Sequence, residues 1–226
     1  MNIEKKTVLN IKIKKILSYI WPQTNKILSD HNGMLEVTYI NGKKVLDSKS
    51  VNYSYGSLQK ILELGISKTN FENVNTVLLL GLGGGSVLKT LQRKLNTHHH
   101  ITALELDAQV IKIAEKEFGV TPTNKLNIVH SDAFEYMKKN TLTYDFVIVD
   151  LFIDQKVPVQ FYTKKFCDYL YTSMSNKGSL LFNLGINTHD DERRNKVQHY
   201  FKQQSCETLQ QEKILGTNTL LMVNKI

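Results

Sequence analysis

The sequence predicts an α/β protein built on a mostly parallel, doubly wound, twisted sheet that ends in an antiparallel β-hairpin, with a small N-terminal helix and β-hairpin in front. Three observations lead there. From Thr76 onward, short apolar runs alternate with segments of helical period. The first of those runs enters the glycine-rich turn "GLGGG". At the C-terminus, "CETLQQEKI" and "TNTLLMVNKI" read as two strands joined at Gly216 with no helix between them, so that pair is expected to be antiparallel.

The elements follow in order. Residues 1–26 hold six lysines (Lys5, Lys6, Lys12, Lys14, Lys15, Lys26) against Glu4, which accounts for five of the eight surplus positive charges of the 226-residue chain. Ile13, Ile16, Leu17 and Ile20 are spaced for one helical face there, expected to pack on its own domain or on a sister subunit, with a membrane-surface or nucleic-acid arm as the alternative. "LEVTYINGKKVLD" (35–47) is a hairpin turning at Asn41-Gly42. "SYGSLQKILELGI" (54–66) puts Leu58, Ile61 and Leu62 on one helical face, with Gly65 as a stop. These segments form an extension over 1–73, followed by a nucleotide-binding domain over 74–226. In that domain, strands are expected at 76–80, 101–105, 126–130, 146–150 and 179–183, and helices at 86–95, 108–118, 133–139, 159–175 and 190–204.

Composition excludes several classes. With 41% hydrophobic and 22% charged residues, the chain has the make-up of an ordinary soluble protein, and no apolar run approaches the roughly 18 residues that cross a bilayer. Cys167 and Cys206 are far apart and lack CxxC spacing, so neither a disulfide framework nor a zinc site is suggested, and a reducing cytoplasm is the default. His98–His100 alternate across an extended segment and read as a polar loop rather than as ligands of one ion. Asp190, Asp191 and Glu192 suit the start of a helix, while Cys167, Phe166 and Leu170 suit a core.

The functional signal lies in "TVLLLGLGGGSVLKTL" (76–91) and three later strand ends. Gly81, Gly83 and Gly85 stand at the carboxyl end of the first strand, where open α/β sheets bind ligands and where glycine lets a nucleotide approach the backbone. Glu105 ends the next strand, in position to accept hydrogen bonds from two ribose hydroxyls. Asp132 follows the third strand and suits either an adenine amino group or the N-cap of the helix beginning at Ala133, and both can hold together. Asp150 ends the fourth strand in "YDFVIVDLF", at the mouth where a reacting group would lie.

Four strand ends carrying glycine, Glu, Asp and Asp in order resemble the S-adenosylmethionine-dependent transferases of the class I methyltransferase fold, and within them the spermidine synthase family. The resemblance runs through "NYSYGSLQKIL", "ALELDAQVIKIAEKEF", "HSDAFEYMKK" and "YDFVIVDLFID". It implies cofactor contacts at Gly81, Gly83, Gly85, Glu105, Asp132 and Ala133, with Asp150 as catalytic base and Tyr55 as its partner. S-adenosylmethionine, or its decarboxylated form, is the implied cofactor. A homodimer is also implied, and neither a membrane span nor a nucleic-acid substrate is expected, since "DLFI" lacks the paired prolines of base-methylating enzymes. The diamine half of the family pattern is eroded: Gly84 stands where an aspartate is normal, Ile153 where a second acid is normal, and Asn52, Gly56 and Ser57 replace the acid and polar neighbours of Tyr55. The preferred expectation is therefore methyl or related alkyl transfer to a small-molecule acceptor. A polyamine aminopropyltransferase is the alternative, and a noncatalytic nucleotide-binding or assembly protein is the third possibility.

Overall fold

The computed structural model describes residues 13–48, 52–54, 57–95, 98–153, 156–186 and 191–226. Residues 13–17 are helical, and four antiparallel strands follow in the order of the chain: β1 (Gln23–Ser29), β2 (Gly33–Ile40), β3 (Lys43–Ser48) and β4 (Asn52–Ser54). The β2–β3 turn is the expected Asn41-Gly42 hairpin, both residues having positive φ. The structure adds β1 and β4, making a four-stranded sheet rather than a hairpin.

The early apolar stripe does not pack on its own domain. Ile13, Ile16, Leu17 and Ile20 are 44%, 67%, 44% and 83% exposed. The segment is fastened instead by polar contacts, with the amides of Asn41 and Gly42 donating to the Ser18 carbonyl and hydroxyl oxygens.

Helix α1 (Ser57–Ser67) leads into a seven-stranded sheet. Its members are β5 (Thr76–Leu80), β6 (His100–Glu105), β7 (Leu126–His130), β8 (Tyr144–Val149), β9 (Met174–Ile186), β10 (Glu207–Ile214) and β11 (Asn218–Asn224), in the spatial order β10-β11-β9-β8-β5-β6-β7. The five strands from β5 to β9 pair in parallel, whereas β11 pairs antiparallel with both β9 and β10. The connecting helices are α2 (Ser86–Lys94), α3 (Ala108–Phe118), α4 (Ala133–Lys139), α5 (Lys164–Ser173) and α6 (Asp191–Gln203). This is the expected α/β architecture with its terminal antiparallel hairpin. No helix among the described residues is long and apolar enough to cross a membrane.

β5 shows why the run "TVLLL" is continuous rather than alternating. Val77 and Leu79 join one core layer, Leu78 and Leu80 the opposite one, so every side chain from 77 to 80 is buried. The expected helix 159–175 divides into a 3₁₀ turn (Val159–Tyr162) and α5, because the Thr163 hydroxyl accepts from Phe166 N and caps a new helix.

Gly65 does not stop α1. It lies inside the helix, where a Cβ would stand 2.6 Å from Leu181 Cδ1 and 3.1 Å from Leu220 Cδ1. Its purpose is close approach of helix to sheet. Gly65→Ala should therefore cost about 1–3 kcal/mol by overpacking, against the roughly 1 kcal/mol that alanine gains in helix propensity. Urea denaturation would show this as a lowered midpoint, and an unchanged or raised midpoint would refute close packing as the reason for the glycine.

Candidate functional site

The order of the strands places a crevice at the carboxyl edge of the sheet. After β5 the chain moves outward through β6 and β7, then returns to the other side of β5 with β8. At such a reversal the connections leave the sheet in opposite directions and a cleft opens between them. The cleft encloses about 210 Å³ and is lined by Gly81, Gly83, Glu105, Asp132, Ala133 and Asp150 among others, which brings six of the sequence-predicted site residues to one cavity. Gly85 begins α2 as its N-cap in the left-handed conformation. Tyr55 lies outside the described residues.

Two of the three glycines are required by the chain itself. A Cβ on Gly81 (φ 99°) would strike the Asp150 carbonyl oxygen, and one on Gly85 (φ 82°) would strike the Val120 side chain. Gly83 differs, since its amide donates to Glu105 Oε2 at 3.0 Å. The other oxygen, Oε1, accepts from the Asp107 amide at 3.1 Å. Glu105 is only 6% exposed; burial pushes its pKa up, and the backbone donors pull against that rise. Two fixed donors leave this carboxylate little freedom to turn away from the cleft.

Asp132 serves two purposes at once. It caps α4 by accepting from Glu135 N at 2.9 Å, and it lines the cleft beside Ala133. Asp150 accepts from Asn183 Nδ2 at 2.9 Å; burial, with the Glu105 charge adding to it, pushes its carboxyl up to about 6. Asn183 Oδ1 in turn accepts from Asn218 Nδ2 at 3.0 Å and from Gly185 N at 3.2 Å, so β9 and β11 together orient the acid at the end of β8.

Sequence reasoning missed these asparagines, because an amide inside an apolar strand carries no periodic signal. It also missed the turn after β1. The Ser29 hydroxyl donates to Asp107 Oδ2, Asn32 Nδ2 donates to the same oxygen at 3.2 Å, and Asp107 meanwhile caps α3 through Gln109 N and Val110 N. His31 and Asn32 thereby reach the cleft, and Asn32 Oδ1 is buried there without a hydrogen-bond partner. The "SDHNG" stretch carries ordinary turn residues, which concealed it.

The family model for the spermine/spermidine synthase domain matches residues 59–209. The chain belongs to this family. Among curated relatives of this synthase-family chain, the polyamine aminopropyltransferase of Vibrio vulnificus is 33% identical over 110 residues, covering 47% of this chain and 36% of that protein. The eEF1A lysine and N-terminal methyltransferase homolog of Drosophila melanogaster is 23% identical over 178 residues, covering 71% of this chain and 26% of that protein. The chain thus spans only about a quarter to a third of the length of these relatives. Solved structures give the same fold. Human methyltransferase-like protein 13 in complex with SAH aligns with a TM-score of 0.63 at 18% identity, over 76% of this chain and 83% of that one. A probable spermidine synthase from Corynebacterium glutamicum also gives 0.63, at 14% identity, over 90% of this chain and 77% of that one.

The elevated carboxyl of Asp150 has a consequence for stability. A carboxyl raised from 3.8 to about 6 on folding binds more protons in the native state than in the unfolded one, so its contribution falls as pH rises through that window and is fully lost above it. Asp150→Asn keeps the shape and the acceptor for Asn183 while removing the charge. It should stabilise the protein at pH 8 by about 1–3 kcal/mol, shrinking to roughly a third of that at pH 4.5. Urea unfolding at both pH values checks this, and an equal gain at each would contradict it.

Proposed function

We propose that this synthase-family chain is an S-adenosylmethionine-dependent transferase that moves a methyl or related alkyl group to a small-molecule acceptor. The observation that carries the reading is the placing of Gly83, Glu105 and Asp150 around one crevice, with both Glu105 oxygens held by backbone amides. The residues fit an adenosine ligand. Glu105 and the unpaired Asn32 Oδ1 offer acceptors for ribose hydroxyls, Asp132 an acceptor for the adenine amino group, and Leu104 and Leu106 apolar surface. When bound, S-adenosylmethionine supplies a carbon made electrophilic by its sulfonium. Asp150 receives the acceptor's proton; with its carboxyl near 6 it is mostly ionised at neutral pH yet more basic than an exposed aspartate. The apolar residues around it exclude water, and the cleft confines the acceptor against the reacting carbon.

Aminopropyl transfer from decarboxylated S-adenosylmethionine is the second reading, favoured by the polyamine aminopropyltransferase relatives. It ranks lower because Gly84 and Ile153 stand where that chemistry uses acids, and an unpaired buried ammonium costs several kcal/mol.

Calorimetric titration with S-adenosylmethionine, its decarboxylated form, methylthioadenosine and S-adenosylhomocysteine tests the proposal. Binding of the first and last is expected, and Glu105→Ala should weaken each by roughly 1.5–3 kcal/mol, the scale of a charge-assisted hydrogen-bond partner. No binding of any of the four would leave the noncatalytic reading standing. With putrescine and decarboxylated S-adenosylmethionine, little or no spermidine should form; turnover near about 1 per second would reverse the ranking of the two transferase readings. Asp150→Asn should leave nucleotide affinity nearly unchanged while lowering acceptor turnover roughly 10²–10⁴-fold.

A further inference from the structure

The short helix ahead of the first sheet is mounted with its apolar side outward. Ser18, 2% exposed, makes the attachment: its hydroxyl donates to Lys15 O at 2.6 Å and accepts from Gly42 N at 3.0 Å, while its carbonyl accepts from Asn41 N. Tyr19 then crosses the same turn, where a Cβ on Gly42 would strike its hydroxyl. Successive helical residues are turned by about 100°, so Ile13, Ile16, Leu17 and Ile20 cluster on the side roughly opposite Ser18. Tyr19 and Trp21, 65% and 73% exposed, extend the apolar run. A segment packed on its own domain would turn its isoleucines inward. Here polar groups hold the segment, and six large apolar side chains within nine residues stay exposed.

Charge selects what covers this face. Residues 1–29 carry six lysines and a single acid, Glu4. Lys14 is held beside the stripe by Asn25, to whose Oδ1 it donates at 3.4 Å, and Lys15 is exposed at the next position. A second copy meeting this face about a two-fold axis would set lysines against lysines, because the same patch lies on both sides of such an interface. A nucleic acid would pair with the lysines but would hold phosphates against the isoleucines, with no apolar surface to cover them. The surface of an anionic bilayer meets both demands. Its headgroups attract the lysines, its acyl boundary takes the aliphatic side chains, and the zone between suits Tyr19 and Trp21, whose rings are apolar but carry one polar atom.

We propose that residues 13–21 dock the protein on the surface of an anionic lipid bilayer, lying in the interface without crossing it. The attachment leaves the cleft open. The helix is fixed at the Asn41-Gly42 turn, whereas His31 and Asn32 reach the cleft from the other end of the β1–β2 pair. The seven residues of β1 separate those ends by about 20 Å, at roughly 3.3 Å per residue. Membrane attachment and nucleotide binding are thus separate properties of the chain.

Trp21 is the single tryptophan, so its fluorescence reports on this face alone. The full chain, mixed with vesicles of roughly 2:1 phosphatidylcholine to phosphatidylserine, should co-sediment with them and shift its emission to the blue, and phosphatidylcholine alone should bind it about tenfold more weakly. Ile20→Asp, at the most exposed position of the stripe, should weaken binding to the mixed vesicles roughly tenfold or more. Lys15→Gln should weaken it roughly fivefold, the worth of one lysine near an anionic surface. Leu142→Asp changes the net charge as Ile20→Asp does, at an exposed site between α4 and β8, and should alter binding less than about twofold. S-adenosylhomocysteine affinity should be the same in all three variants. Equal losses in Ile20→Asp and Leu142→Asp would reduce the effect to overall charge and overturn the proposal. So would a blue shift that grows with protein concentration without vesicles, which assigns the face to a second copy, or binding to a DNA duplex in preference to the vesicles. Failure to bind the mixed vesicles would overturn it directly.

Discussion

The contact on which the rest of the site depends is between two backbones. The Asp150 carbonyl lies against Gly81 so closely that any side chain at 81 would displace it, and the Asp150 amide donates to Leu80 O at 2.8 Å. This contact sets the distance between the glycine turn and the proposed base. The glycine turn carries the amide that restrains Glu105, and Asp150 carries the link to the C-terminal hairpin. Because the two strand ends are locked at main-chain level, the backbones that carry the two acids on either side of the reversal are held at a fixed separation, and side-chain hydrogen bonds then aim each carboxylate.

That rigidity explains how acidic groups can share a recess in a strongly basic chain. Each is held by donors rather than by a counter-ion: amides for Glu105, a helix start for Asp132, an asparagine for Asp150. Neutral donors stabilise a carboxylate without cancelling its charge, so the cleft stays attractive to cations. Lys89 and Arg93, on α2, remain at or near the surface. Burial without a cation is also what pushes Asp150 up to about 6, at some expense to stability.

How much of this the sequence revealed depended on whether a feature had a period. Helices α3 and α4 were legible to the residue because their apolar positions repeat and caps such as Asp132 mark their starts, and β5 because its unbroken apolar run stops at the glycine turn. β1, "QTNKILS", was invisible since most of its residues face water and leave no alternation of buried and exposed types. Gly65 misled for the opposite reason: glycine is a common helix stop, and only Leu181 and Leu220, on two distant strands, show why it sits mid-helix here. The carboxylates were found because strand ends in this topology are informative positions. Asn183 and Asn218 were not found, because a buried amide is meaningful only beside its partner, and those partners lie 33 and 35 residues away.

Asp107 has a bearing on how the molecule is made. It caps α3, whose Val110 and Ile113 pack against Leu35, Val37 and Leu46 of the first sheet, and it also grips Ser29. The chain emerges from the ribosome with Ser29 leading by 78 residues. At synthesis speeds of about 5–20 residues per second, the first sheet waits roughly 4–16 seconds before its anchor exists. During that interval Leu35, Val37 and Leu46 have no α3 to cover them. The first sheet is therefore translated well before the helix that covers it, and that part of the cleft formed by His31 and Asn32 is completed only after the turn and strand that hold Glu105 have left the tunnel.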